Sequence, residues 1–300
     1  MKLGLLFLSL IIPATAHAQT WPNEPVGAIV RSDWGYNSIP AGDGSWYDVY
    51  NDGISSIQSD STAPLSPSNV YQQRFPIGLI GGNGGGGGIW YTLPNVGIRS
   101  LYWGFWMKTD ANYEQHPVFT KIGWIHTGVG SYGHQNQLFF GLVGSGSNMS
   151  INANYQNTDT DNTHLGGDAP LGTVRLNPTG GSFSAGQWVR FEVCFQPSST
   201  PTARDGVFKW WVTPQGMSTS VLAGNVTTLN TQALYPGGVS HITIWGGTGS
   251  TKTRDSFIYW DHEHVSSVTN CTGITPPPLD NPPGAPGLVT GVTVTVGGVQ

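Results

Sequence analysis

Leu101-Tyr102-Trp103-Gly104-Phe105-Trp106-Met107-Lys108, Trp188-Val189-Arg190-Phe191-Glu192-Val193-Cys194-Phe195 and Val207-Phe208-Lys209-Trp210-Trp211-Val212-Thr213 decide the fold class. Each alternates with period 2, the pattern of a strand with two unlike faces. Leu101, Trp103, Phe105 and Met107 share one side of the first run. Val189, Phe191, Val193 and Phe195 share one side of the second, and Phe208, Trp210 and Val212 one side of the third. These apolar rows are the expected core between two stacked sheets. The opposite rows mix Tyr102, Trp106, Trp188 and Trp211 with Lys108, Arg190, Glu192 and Lys209.

Further period-2 runs span 89–93, 119–127, 137–143, 149–155, 241–245 and 257–266, separated by Gly-, Pro- and Asn-rich breaks. No amphipathic helix and no fixed-period repeat accompanies them. Nine or more antiparallel strands joined by turns predict an all-β protein, either two stacked sheets or a closed barrel. Composition agrees. The 300 residues include 43 Gly, 21 Pro and 12 Trp but only 10% charged side chains. That disfavours coiled coils, helical bundles and basic nucleic-acid binders.

Residues 1–18 read as a secretory signal: Lys2, an apolar run from Leu3 to Ile12, then Ala16-His17-Ala18 before cleavage. The run is too short to span a bilayer, so export without membrane insertion is expected. In an oxidising compartment Cys194 and Cys271 are expected to form a disulfide. The globular domain is placed at 19–273. Residues 274–286 hold six prolines and read as a semi-rigid linker. Residues 287–300 carry one strand's worth of Val/Thr alternation, possible only as an added strand or the opening of a further domain.

The mixed rows suit sugar recognition. Pyranose C–H patches lie on aromatic planes, while hydroxyls need charged or amide partners. Trp106 and Trp211 are the expected stacking residues, with Lys121, Arg190 and Glu192 bonding hydroxyls or acidic substituents. Ordinary packing beneath loops is the other reading of the same rows.

Gly186-Gln187-Trp188-Val189-Arg190-Phe191-Glu192 and Asp205-Gly206-Val207-Phe208-Lys209-Trp210-Trp211-Val212 resemble a strand pair of the concanavalin A-like jelly rolls. Leu101–Lys108 followed by Lys121-Ile122-Gly123-Trp124-Ile125 is similar to a stretch of their secreted bacterial members. Residues 257–266 resemble the closing strand. That superfamily includes laminin-G-like domains, lectins, glucanases and polysaccharide lyases, so the resemblance implies an antiparallel two-sheet β-sandwich of jelly-roll form and leaves the activity open. The glucanase pair of catalytic Glu on one strand is missing: Glu24, Glu114, Glu192 and Glu263 are far apart. The alginate-lyase strand motifs are also not found.

A lyase needs a cation or amide for a uronate carboxylate and a His or Tyr to move the proton. Lys121, His126, His134, Gln135, Gln137 and Tyr155 are the candidates. Asn157, Asp159, Asp161 and Asp168 have calcium-loop spacing, although Asn162 replaces the usual Gly. The resemblance suggests a second calcium set, Asp48 and Asp52 with Asp43 and Asp261. His262 and His264 would share a strand face, but lack a third zinc ligand. The glycine run 81–88 is read as a mobile connection. Asn148, Asn225 and Asn270 open N-x-S/T sequons. Three functions follow as expectations: an extracellular polysaccharide binder, a polysaccharide lyase (a hydrolase fits less well) on the same face, or an adhesive surface module. Oligomeric state is left open.

Overall fold

A computed structural model describes residues 29–32, 46–48, 55–65, 68–80, 84–92, 100–114, 120–127, 136–157, 172–176, 180–200, 203–229, 239–247, 251–268 and 270–271. Among them are fifteen strands and no helix. The first five are β1 (Ile29–Ser32), β2 (Trp46–Asp48), β3 (Ser56–Ser59), β4 (Asn69–Phe75) and β5 (Gly84–Thr92). Then come β6 (Leu101–Thr109), β7 (Thr120–Thr127), β8 (Asn136–Ser145), β9 (Asn148–Asn157) and β10 (Gly172–Leu176). The last are β11 (Val189–Gln196), β12 (Gly206–Pro214), β13 (Leu222–Leu229), β14 (Val239–Gly247) and β15 (Ser256–Ser267).

One sheet has eight strands, ordered β13-β12-β11-β6-β15-β4-β3 with β1 also on β15; the other has seven, ordered β10-β9-β8-β7-β14-β5-β2. Neighbours β6 and β11 in the first sheet, like β7 and β14 in the second, are distant in sequence, the mark of jelly-roll crossovers. The two sheets stack. Trp103, Phe105, Phe191, Phe208, Trp210 and Trp260 of the first pack with Ile125, Leu138, Phe140, Ile151, Ile242 and Ile244 of the second in one buried cluster. Trp210 reaches across the interface, its Nε1–H donating to the Ile151 carbonyl at 3.2 Å. The alternation rows expected to form the core do so.

Two sequence readings change. Gly84–Gly88 belong to β5, hydrogen-bonded to β14. A glycine run carries no side-chain pattern, so only the partner strand reveals it as sheet. On β15 a bulge between Asp261 and His264 sets His262 in the left-handed region at φ 46°. The extra residue resets the alternation, so His262 and His264 do not share a face. Their partners are local: His262 Nδ1 lies 2.5 Å from Asp261 Oδ1, and His264 Nε2 lies 3.1 Å from Ser266 Oγ. No cluster of three or more His, Cys, Asp or Glu side chains that could hold a metal occurs among the described residues.

Cys194 and Cys271 form the expected disulfide, with Cα atoms 5.7 Å apart. It ties an interior strand of the first sheet to the end of the described domain. The signal segment, the Pro-rich linker and the C-terminal strand pattern lie outside the described residues.

Candidate functional site

The expected sugar face on the first sheet is an inner packing layer. Trp106 and Arg190 are each 2% exposed, and Glu192 and Trp211 are fully buried. Alternation correctly turned these side chains away from the sandwich core, but a further layer covers them. Ala63 and Leu65 pack on this side with Val268 and Cys271, and with Tyr102, Trp106, Trp188 and Trp211 form a second apolar cluster. Its polar members satisfy one another. Glu192 accepts from Tyr102 Oη at 2.5 Å and from Arg190 Nε at 3.0 Å, while Arg190 Nη2 donates to Ser220 at 3.0 Å. The Arg190 guanidinium lies 5.7 Å from the Trp106 ring centroid. Residues 60–62 are pinned by Lys108, which donates to Asp60 and Thr62, and by Trp188 Nε1, which donates to Thr62 Oγ1 at 3.0 Å. No sugar ring reaches Trp106 or Trp211 while this cover is in place.

The second sheet places the remaining candidates together. Lys121, Trp124 and His126 lie on the outer side of β7, alternating with the core residues Ile122 and Ile125 across a bulge. Lys121 Nζ stands 5.3 Å from the Trp124 centroid and 4.9 Å from that of Phe139 on β8. Trp124 meets His126 edge-on at 5.6 Å. Burial pushes the half-buried Lys121 ammonium below the ordinary lysine value.

Register extends this group across the sheet. Phe139 pairs with Trp124 and with Asn154, and Asn154 pairs with Arg175 on β10. His126 pairs with Gln137 and with His241, and Gln137 with Gln156. Lys121 pairs with Gly141 on one side and Gly247 on the other, and Gly141 with Asn152. Lys121 is therefore flanked by residues without side chains. Asn152 and Asn154 are each 2% exposed and His126 1%, so that Lys121 is the partly exposed member of the group. The Asn154 Nδ2 donor is buried with no hydrogen-bond partner. A buried amide donor without a partner, two strands from β7 and in register with Phe139 and Trp124, is the feature of this face that asks for a ligand.

Of the other candidates, Tyr155 pairs with Leu138, in the alternation of Ile151 and Ala153 rather than of Asn154. His134, Gln135, Asp52, Asp159, Asp161 and Asp168 lie outside the described residues. Asp48 falls on edge strand β2 of the second sheet, while Asp261 is buried in the first. Both Asp261 oxygens have nitrogen partners, Leu65 N–H at 3.3 Å and His262 Nδ1 at 2.5 Å, which is not how a calcium ligand is placed. Trp124, Asn152, Asn154 and the Arg175 position were not singled out from sequence. Asn152 and Asn154 alternate with Ile151 and Ala153, which was the available signal.

No protein-family model matches the chain, and no curated protein matches it. Solved structures do. An alginate lyase in complex with an alginate trisaccharide is 12% identical, with TM-score 0.54 over 81% of this chain and 100% of its own. The endo-β-1,4-glucuronan lyase of the fungus Trichoderma reesei is 10% identical, with TM-score 0.52 over 80% of this chain and 95% of its own. An alginate lyase from a Chlorella virus is 11% identical, with TM-score 0.50 over 71% and 89%. The fold is a two-sheet jelly roll similar to theirs. At these identities the likeness concerns the fold.

Proposed function

We propose that this chain is an exported protein that binds an acidic extracellular polysaccharide on the outer face of its second sheet and cleaves it by β-elimination. The observation that carries the reading is the vacant, buried Asn154 Nδ2 on the face that holds His126 and Lys121. An amide donor and an ammonium suit a uronate carboxylate, and neutralising it acidifies the neighbouring C5 proton. In a sheltered, low-dielectric setting such contacts strengthen. His126 is assigned the proton transfer: its imidazole takes the C5 hydrogen as a proton, the C5–H electron pair forms the new double bond as the C4–O bond breaks, and the leaving oxygen takes that proton from the imidazolium. The product carries a C4=C5 double bond. The folds compared above support a uronate polymer, because those three proteins are named for alginate or glucuronan cleavage. A structural calcium ion on Asp159, Asp161 and Asp168 belongs to the same proposal and rests on their spacing.

The test is the release of near-ultraviolet-absorbing unsaturated sugar from alginate and from polyglucuronate. Asn154→Asp keeps the size of the side chain but turns its donor into an acceptor of like charge to the substrate. We expect it to lower turnover about a hundredfold or more, as His126→Gln should, with melting temperature and circular dichroism showing that both variants fold. Binding of either polymer without product would leave a carbohydrate-binding protein and end the lyase reading.

A further inference from the structure

The outer face of the first sheet is covered over only part of its width. Toward its edge, along β15, β4 and β3, Phe257, Tyr259, Gln72, Arg74 and Ser56 are all partly exposed. Phe257 and Tyr259 alternate with the core residues Ile258 and Trp260. Their ring planes differ by only 25° and their centroids are 6.3 Å apart. Arg74 pairs in register with Phe257, Gln72 with Tyr259, and Ser56 with Gln72. Two near-parallel aromatic rings are thus bordered by a guanidinium, an amide and a hydroxyl.

Packing accounts for one of the two rings. Tyr259 packs against the second apolar cluster, lies 5.0 Å from the Lys108 ammonium and is hydrogen-bonded to Gln72. Phe257 belongs to neither apolar cluster. Arg74 gives Nη2–H to Asp255 at 2.7 Å, yet its side chain is still 40% exposed. An apolar ring left partly in water beside a partly exposed guanidinium is a recognition surface in both its parts: C–H groups stack on the ring, and hydroxyl or carboxylate oxygens meet Arg74 and Gln72.

We propose that Phe257, Tyr259, Gln72 and Arg74 form a second carbohydrate site, which holds a pyranose unit of an acidic polysaccharide. It lies on the opposite side of the sandwich from the proposed catalytic face. Its role is to keep the protein on the polymer between cleavage events by raising the local concentration of chain. Only the choice of an acidic glycan rests on the function proposed above; the aromatic geometry is independent of it.

Affinity electrophoresis of the full chain through gels containing alginate, polyglucuronate or a neutral β-glucan tests the site, alongside turnover of alginate trisaccharide. Phe257→Ala and Arg74→Gln should weaken retardation by an acidic polymer about tenfold. Both should keep native melting temperatures and trisaccharide turnover, and Asn154→Asp should retain the Phe257-dependent retardation. Phe257→Leu, which keeps apolar bulk without a ring, should behave like Phe257→Ala. Undiminished retardation of Phe257→Ala overturns the site. So does a native protein retarded by none of the three polymers, whether or not it releases product. Phe257-dependent retardation without any product would keep this site and reject the catalytic proposal.

Discussion

Trp103 and Trp106 are three residues apart on β6, face opposite sides of the sheet, and are both buried. Trp106→Ala and Trp211→Ala should therefore destabilise the protein by ~3–5 kcal/mol, as should Trp103→Ala, because each empties a filled aromatic site. Urea titration of the four-member series with Trp210→Ala checks this; a native-like midpoint for Trp106→Ala would show that the covering layer contributes no packing. Glu263 was legible as a residue and not as a problem. It is buried in the first sheet, its Oε2 accepts from Trp103 Nε1 at 2.6 Å, and its Oε1 has no partner. Desolvation raises its pKa well above the ordinary glutamate value. The folded state then holds a proton that the unfolded state releases as pH climbs past the usual carboxylate range. Its contribution is intact below the unfolded pKa and is lost as pH rises toward the folded one. Glu263→Gln imitates the neutral acid, so it should gain stability over the native protein at pH 8 and lose that advantage near pH 4. Melting temperatures across this range would refute the assignment if the difference stayed constant.

The best-read elements are those whose two faces differ in chemistry. The alternation of β6, β11 and β12 placed Phe105, Phe191 and Phe208 in the core before any partner was known. Elements lacking such contrast were missed. β4 reads Asn-Val-Tyr-Gln-Gln-Arg-Phe, and its buried Gln73 accepts from Trp260 Nε1 at 3.3 Å. β13 is equally quiet in sequence, yet Gly224 pairs with Trp210, and a Cβ there would stand 1.9 Å from the indole ring. The absence of a side chain on β13 is what lets Trp210 lie in the core. Gly224→Ala should cost about 1–3 kcal/mol or more through overpacking. Thermal unfolding measures it, and a Trp210→Leu background should remove most of the penalty. An equal cost in both backgrounds would place the strain elsewhere.

At the scale of the molecule, the Cys194–Cys271 bond fastens the cover to the first sheet. Near it Val268 N–H donates to Ser100 O at 3.0 Å, and Cys271 N–H donates to Gln196 Oε1 at 3.0 Å. Cys271→Ala with Cys194→Ala should cost ~2–5 kcal/mol and increase quenching of Trp106 and Trp211 fluorescence by acrylamide. Unchanged quenching would mean that the covering segment holds without the bond. The sequence alone determined the all-β class, the core rows and the identity of the cysteine pair. These follow from period-2 alternation and from a pair of cysteines in a chain read as exported, neither of which needs coordinates. The outward direction of Trp106, Arg190, Glu192 and Trp211 was legible as well. Whether that direction ended in solvent was decided by residues 60–65 and 268–271, remote in sequence, because alternation fixes a side chain's direction and not what lies beyond it. The same reason hid the second sheet's cluster. Lys121 and His126 stand on β7 and Asn154 on β9, and only the antiparallel register of β7, β8 and β9 places them in one sheet.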